Sequence, residues 1–119
     1  MKKEDYLQIA VADYLRMQYP KVLFTHVANE RQTSKMRGYK LKRMGVRAGM
    51  SDTLIFKSKY SNGSITPDYV GLAIELKIEP NKPTKEQLEV LKQLFDNGWK
   101  TAVCYSFDEA KEIIDNYLK

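Results

Sequence analysis

The chain has 119 residues, one cysteine, a net charge of +5 and a pI near 9.2, with 43% hydrophobic and 29% charged residues. This suits a single globular domain over residues 1–119, with core enough to fold unstapled, and excludes an internal disulfide or a cysteine-cluster metal site. No stretch nears the roughly 18 consecutive apolar residues of a membrane span, and the opening "MKKEDYLQIA" lacks the apolar core of a secretion signal. An intracellular, cytoplasmic protein is expected.

In chain order, residues 3–18 predict an amphipathic helix, with Leu7, Ala10, Val11, Tyr14 and Leu15 at helical spacing and Pro20 as its stop. "KVLFTHV" at 21–27 reads as a short strand. A basic run follows: Arg31, Lys35, Arg37, Lys40, Lys42, Arg43 and Arg47, with no acid among them. It sits on a short helix ending at Gly45, whose apolar stripe of Met36, Leu41 and Met44 is thin. From Thr84 onward seven acids outnumber five lysines, so the basic segment stands on a mildly acidic body. A charge run is most often a solvated helix face. The complete absence of acids favours a phosphate-backbone contact instead.

"GMSDTLIFK" at 49–57 predicts a second strand, and the polar segment 58–69, with Asn62-Gly63, a loop too long for a tight hairpin. "VGLAIELKI" at 70–78 predicts a third strand. Thr84-Lys85-Glu86-Gln87 has the capping-box pattern of a helix start, and that helix runs to about Asn97 with Gly98 beyond it. "WKTAVCYS" is a fourth strand, and Ser106-Phe107-Asp108-Glu109 predicts a second capping box opening the last helix. The order α-β-α-β-β-α-β-α describes an α/β fold with a small mixed sheet flanked by helices.

The third strand sets the chemical problem. Its even positions, Leu72, Ile74, Leu76 and Ile78, are aliphatic, while Gly71, Ala73, Glu75 and Lys77 share the other face. A Glu-x-Lys pair on a sheet surface is ordinarily a weak ion pair. Here small residues precede it, and Asp52 opens the strand before it on the side of Leu54 and Phe56. Antiparallel pairing of the two strands would bring Asp52 to Glu75, and two carboxylates held together call for a divalent cation.

Asp, loop, then Glu-x-Lys resembles the active site of the PD-(D/E)xK nuclease superfamily. The blocks "EDYLQIAVADYL", "HVANE", "LKRMGVRAGMSD", "LAIELK" and "PTKEQ" resemble, in that order, those of its VRR-NUC family, over nearly the whole chain. The resemblance implies a restriction-endonuclease-like fold and metal-dependent hydrolysis of DNA phosphodiesters, leaving a 5′-phosphate and a 3′-hydroxyl. It implies that Asp52, Glu75, the main-chain carbonyl of Leu76 and Glu4 from the first helix hold Mg²⁺ or Mn²⁺. Lys77 would act on the attacking water and the phosphate. Gln87 matches a recurring glutamine near the site, although a glutamine there also suits a helix cap. His26 matches the family's "HVPNE"-like block and with Asn29 would line the DNA channel, although a strand-end histidine also suits a local hydrogen bond; Arg31, Lys35, Arg37, Lys40, Lys42, Arg43 and Arg47 are the backbone-contact candidates.

Members that stand alone resemble junction resolvases, so a homodimer cutting branched DNA such as four-way (Holliday) junctions is a further expectation, as is a partner protein that supplies targeting. The chain departs from the family at Ser51, where a proline usually precedes the Asp. The competing reading is a catalytically silent nucleic-acid-binding module on a nuclease fold. A purely structural domain is a third, and an RNA-binding reading lacks an aromatic platform.

Overall fold

The computed structural model describes residues 1–28 and 34–119, in which eight elements follow one another. They are α1 (Lys3–Gln18), β1 (Phe24–His26), α2 (Lys35–Arg43), β2 (Thr53–Ile55), β3 (Gly71–Leu76), α3 (Lys85–Asp96), β4 (Trp99–Cys104) and α4 (Phe107–Leu118). This is the predicted order and fold class. The strands are shorter than the sequence suggests, because only part of each apolar run finds a ladder partner.

The sheet runs β1-β2-β3-β4, antiparallel across the first two pairings and parallel across β3 and β4, which α3 connects. Alternation along β3 gives the sheet two unlike faces. Leu72, Ile74 and Leu76, with Ile55 and Cys104, pack against Leu7, Val11 and Leu15 of α1 and Ala110, Ile114 and Tyr117 of α4. This is the main core. On the opposite face Gly71 and Ala73 are buried beneath β4 and α3, where Val90 and Leu91 are also buried. The glycine before the Glu-x-Lys pair is therefore explained by close approach: a methyl group on Gly71 would collide with the ring of Trp99.

The helix ends are chemically specified. Ser34 Oγ accepts from the Arg37 N–H, and α2 ends in a Schellman turn, with Gly45 at φ 102° and Val46 N–H reaching Leu41 O at 3.0 Å. Yet α2 buries none of its residues, as its thin stripe foreshadows, and Met36 and Met44 are exposed. The capping box on α3 forms as predicted. The one on α4 does not: Ser106 Oγ accepts from Glu109 N–H, but the Glu109 carboxylate accepts from the Tyr105 N–H, one residue before the cap.

Two tertiary clamps hold α4. Asp115 Oδ1 accepts from both Tyr14 OH and Tyr19 OH at 2.6 Å, and these bonds keep its carboxyl well below the usual range. The polar segment 58–69 supplies the second. Lys59 bridges to Tyr69 and its ammonium donates to the terminal α4 carbonyls of Asn116 and Tyr117, at 2.9 and 3.1 Å. No helix among the described residues is long and apolar enough to cross a membrane.

The Trp99 contact yields a test. Gly71→Ala should destabilise the protein by about 1–3 kcal/mol through overpacking, read by urea denaturation, whereas Gly63→Ala, in open space, should lose only the smaller cost of its positive φ.

Candidate active site

The register of β2 on β3 places the candidate residues. Thr53 pairs with Ile74, so one step further along the ladder Asp52 comes opposite Glu75. Glu75 is fully buried at 0% exposure, and Asp52, Lys77 and Gln87 are buried as well. Asp52 is held from two sides. Its Oδ2 accepts the Leu76 N–H at 2.7 Å, and its main-chain carbonyl accepts Val27 N–H and His26 Nδ1. A carbonyl only accepts, so the His26 proton sits on Nδ1 and Nε2 is left for other partners.

Gln87 performs two tasks with different atoms. Its Oε1 accepts the Thr84 N–H at 2.9 Å, completing the α3 cap, and its Nε2 donates to Glu75 Oε1 at 3.0 Å. The cap settles the amide orientation, since only the oxygen can meet an N–H. Lys77 Nζ approaches the same Glu75 Oε1 at 3.7 Å. Both partners thus crowd one oxygen, and Glu75 Oε2 is buried with no hydrogen-bond partner among the described residues.

The electrostatics follow from that imbalance. Burial pushes the Glu75 carboxyl up, the Asp52 charge pushes it further, Lys77 pulls it back, and Glu4 adds to the rise, to about 9 in all. The direction of the shift favours the protonated form of Glu75 in the metal-free protein. Glu4, half-buried on the first turn of α1, belongs to the same field.

A cleft of about 1100 Å³ opens over this place, lined by Glu4, Lys77 and Gln87 and by the basic side chains of Arg37, Lys42 and Arg47. Lys35, Lys40 and Arg43 are exposed on or beside the same helix but outside the lining. Asn29 and Arg31 lie outside the described residues. Sequence reasoning passes over Asn81 and Lys82, which also line the cleft; their signal is their place in the "EPNKP" break directly after the Glu-x-Lys strand. It also passes over the Gln8–Thr53 side-chain pair at 3.1 Å, which braces α1 on β2.

As a donor set, Asp52, Glu75 and the Leu76 carbonyl are hard oxygens, suited to Mg²⁺ or Mn²⁺ more than to softer ions. Among the described residues no group of three or more His, Cys, Asp or Glu side chains is gathered tightly enough to form a cation site by itself. The bare Glu75 Oε2 beside Asp52 is nonetheless what a cation would satisfy.

The raised Glu75 carboxyl makes a signed prediction. Its folded value lies above the unfolded value of about 4.3, so its contribution to stability is fully present below that pH and is lost as pH rises through about 9. Metal-free wild-type protein should lose stability from about pH 5 to 9, and Glu75→Gln should flatten that slope in urea titrations. Equal slopes would mean that Glu75 is ionised in the folded state.

No protein-family model and no curated protein matches the chain. Solved structures do. One described as "VRR_NUC domain protein" superimposes with a TM-score of 0.79 at 26% identity, covering 99% of this chain and 89% of that one. A second, described as "VRR_NUC domain", gives a TM-score of 0.58 at 20% identity, over 98% of this chain and 99% of that one, which bears on fold alone. The mixed sheet, its flanking helices and these neighbours agree: from α1 to α4 the chain has the nuclease-type fold of the VRR-NUC domain.

Proposed function

We propose that the protein is a divalent-metal-dependent DNA endonuclease. The observation that carries this reading is the buried Asp52–Glu75 pair, under-satisfied at Glu75 Oε2, with Lys77, just past the end of β3, lining a cleft whose basic side chains outnumber its glutamates. A structural ion pair needs neither a second acid nor an orphaned oxygen. A silent binding module needs no buried carboxyl pair at all, since binding a phosphate backbone takes only the cations.

In this reading Asp52, Glu75 and the Leu76 carbonyl hold Mg²⁺ or Mn²⁺, with Glu4 approaching from α1. The ion supplies Lewis acidity toward a phosphoryl oxygen and lowers the pKa of the attacking water. The chain's own groups do the rest. Gln87 Nε2 fixes the Glu75 carboxyl and in turn is fixed by the α3 cap, so the acid cannot swing. Lys77 lines the cleft, where its ammonium meets water and phosphate and offsets the negative charge that builds during in-line attack. Arg37, Lys42 and Arg47 seat the DNA backbone in the cleft, and Lys35, Lys40 and Arg43 extend that contact along α2. A two-fold dimer would present two such sites to symmetric branched DNA such as a four-way junction, and a targeting partner fits the same picture.

Cleavage of labelled four-way-junction, nicked and linear duplex DNA with Mg²⁺, Mn²⁺ or EDTA is the test. Cutting should require the metal, and Lys77→Ala and Asp52→Asn should each lower the rate at least about a hundredfold while DNA binding persists. DNA binding without cutting by the intact protein, in either metal, would replace this reading with the binding module.

A further inference from the structure

A second orphan lies beside the carboxyl pair. Ser51 is fully buried, and its hydroxyl has no hydrogen-bond partner among the described residues. Buried hydroxyls are almost always bonded, so this one calls for a physical reason. Its place suggests one. Alternation puts Ser51 on the Thr53 side of the strand, the side that α1 covers, where Thr53 Oγ1 meets the Gln8 amide at 3.1 Å.

Glu4 stands one helical turn before Gln8, and Ser51 stands two residues before Thr53. A helical turn rises about 5.4 Å and two strand residues about 6.6 Å. If Gln8 meets Thr53, Glu4 is carried toward Ser51. The direction is fixed independently, because Glu4 lines the cleft together with Lys77, at the end of β3 where β2 begins. The Glu4 carboxylate, too, has no hydrogen bond or ion pair among the described residues. An unused donor and an unused acceptor therefore stand on facing elements, one turn beyond a formed pair of the same kind.

We propose that Ser51 is a positioning residue for Glu4: its hydroxyl donates to the Glu4 carboxylate when a divalent cation is bound, fixing the helix acid beside the Asp52–Glu75 pair. The inference rests on the metal-dependent reading above. It extends the Gln8–Thr53 brace by one rung into the site, and it gives the Ser51 hydroxyl the partner it lacks.

A double-mutant cycle on the full chain tests it, with Mn²⁺ affinity measured by calorimetry and with junction cleavage alongside. Ser51→Ala should weaken Mn²⁺ binding about tenfold, within the range for groups that orient metal ligands. It should lower kcat more than it changes KM. In a Glu4→Gln background Ser51→Ala should change Mn²⁺ affinity no further. Thermal denaturation without metal should show Ser51→Ala as stable as wild type, since it removes an unbonded group.

Unchanged Mn²⁺ affinity in Ser51→Ala, or an equal loss with and without Glu4, would overturn the inference and leave the nuclease reading intact. Mn²⁺ binding with the expected coupling but no cleavage would overturn the nuclease reading and keep the inference. A wild-type chain that binds no Mn²⁺ would overturn both.

Discussion

The antiparallel register of β2 against β3 is the constraint from which the site follows. Thr53 opposite Ile74 sets Leu72, Ile74 and Leu76 into the core with α1 and α4. Each such side chain gains about 1.5–3 kcal/mol by burial. Slipping by one residue would turn all three out. The same register drives Glu75 into the opposite layer and up against Asp52. The aliphatic gain stands against the cost of burying a carboxyl, a cost that the upward shift of Glu75 lessens by favouring its neutral form. The crowding of the two carboxyls is thus a consequence of a well-packed core.

Three local devices then fix what the register brings together. The glycine bend before β2 is one: Gly49 has φ 85°, and a side chain there would press on the main chain of Glu86, at 2.7 Å. The first turn of α3 can therefore lie directly on the approach to Asp52. The Thr84–Gln87 cap is the second, and it places the amide of Gln87 on Glu75. The third is the Gln8–Thr53 contact, which sets α1, and with it Glu4, at the strand end. Of the three, the α3 cap reuses its own residue in the site, since Gln87 Nε2 faces Glu75.

The sequence made some of this legible and not the rest, for identifiable reasons. Element order, the α3 cap and the Schellman turn at Gly45 depend on residues within a few positions of one another. Asp52 meeting Glu75 was legible because alternation and antiparallel pairing leave little choice once the aliphatic face is known. Gln87 could be read as a cap or as a site residue, and it is both a cap and a partner of Glu75: the cap is an i to i+3 signal, whereas its bond to Glu75 crosses 12 residues of chain. His26 reads either as a DNA-channel residue or as a strand-end histidine satisfied by a nearby bond; its Nδ1 is committed to the Asp52 carbonyl, a tertiary contact whose partner no local pattern announces. The second capping box does not close, for a local reason, since the Glu109 carboxylate has two neighbouring N–H groups to choose from and takes that of Tyr105.

The buried Glu75 carboxyl beside Asp52 has a raised pKa in the metal-free protein, and a bound cation would lower it. Calorimetric titration of Mg²⁺ at pH 7, repeated in buffers of different ionisation enthalpy, measures that exchange directly. Binding accompanied by release of about one proton per Mg²⁺, with the release abolished in Glu75→Gln, is the expected result. Binding with no proton release, or no binding at all, would contradict it.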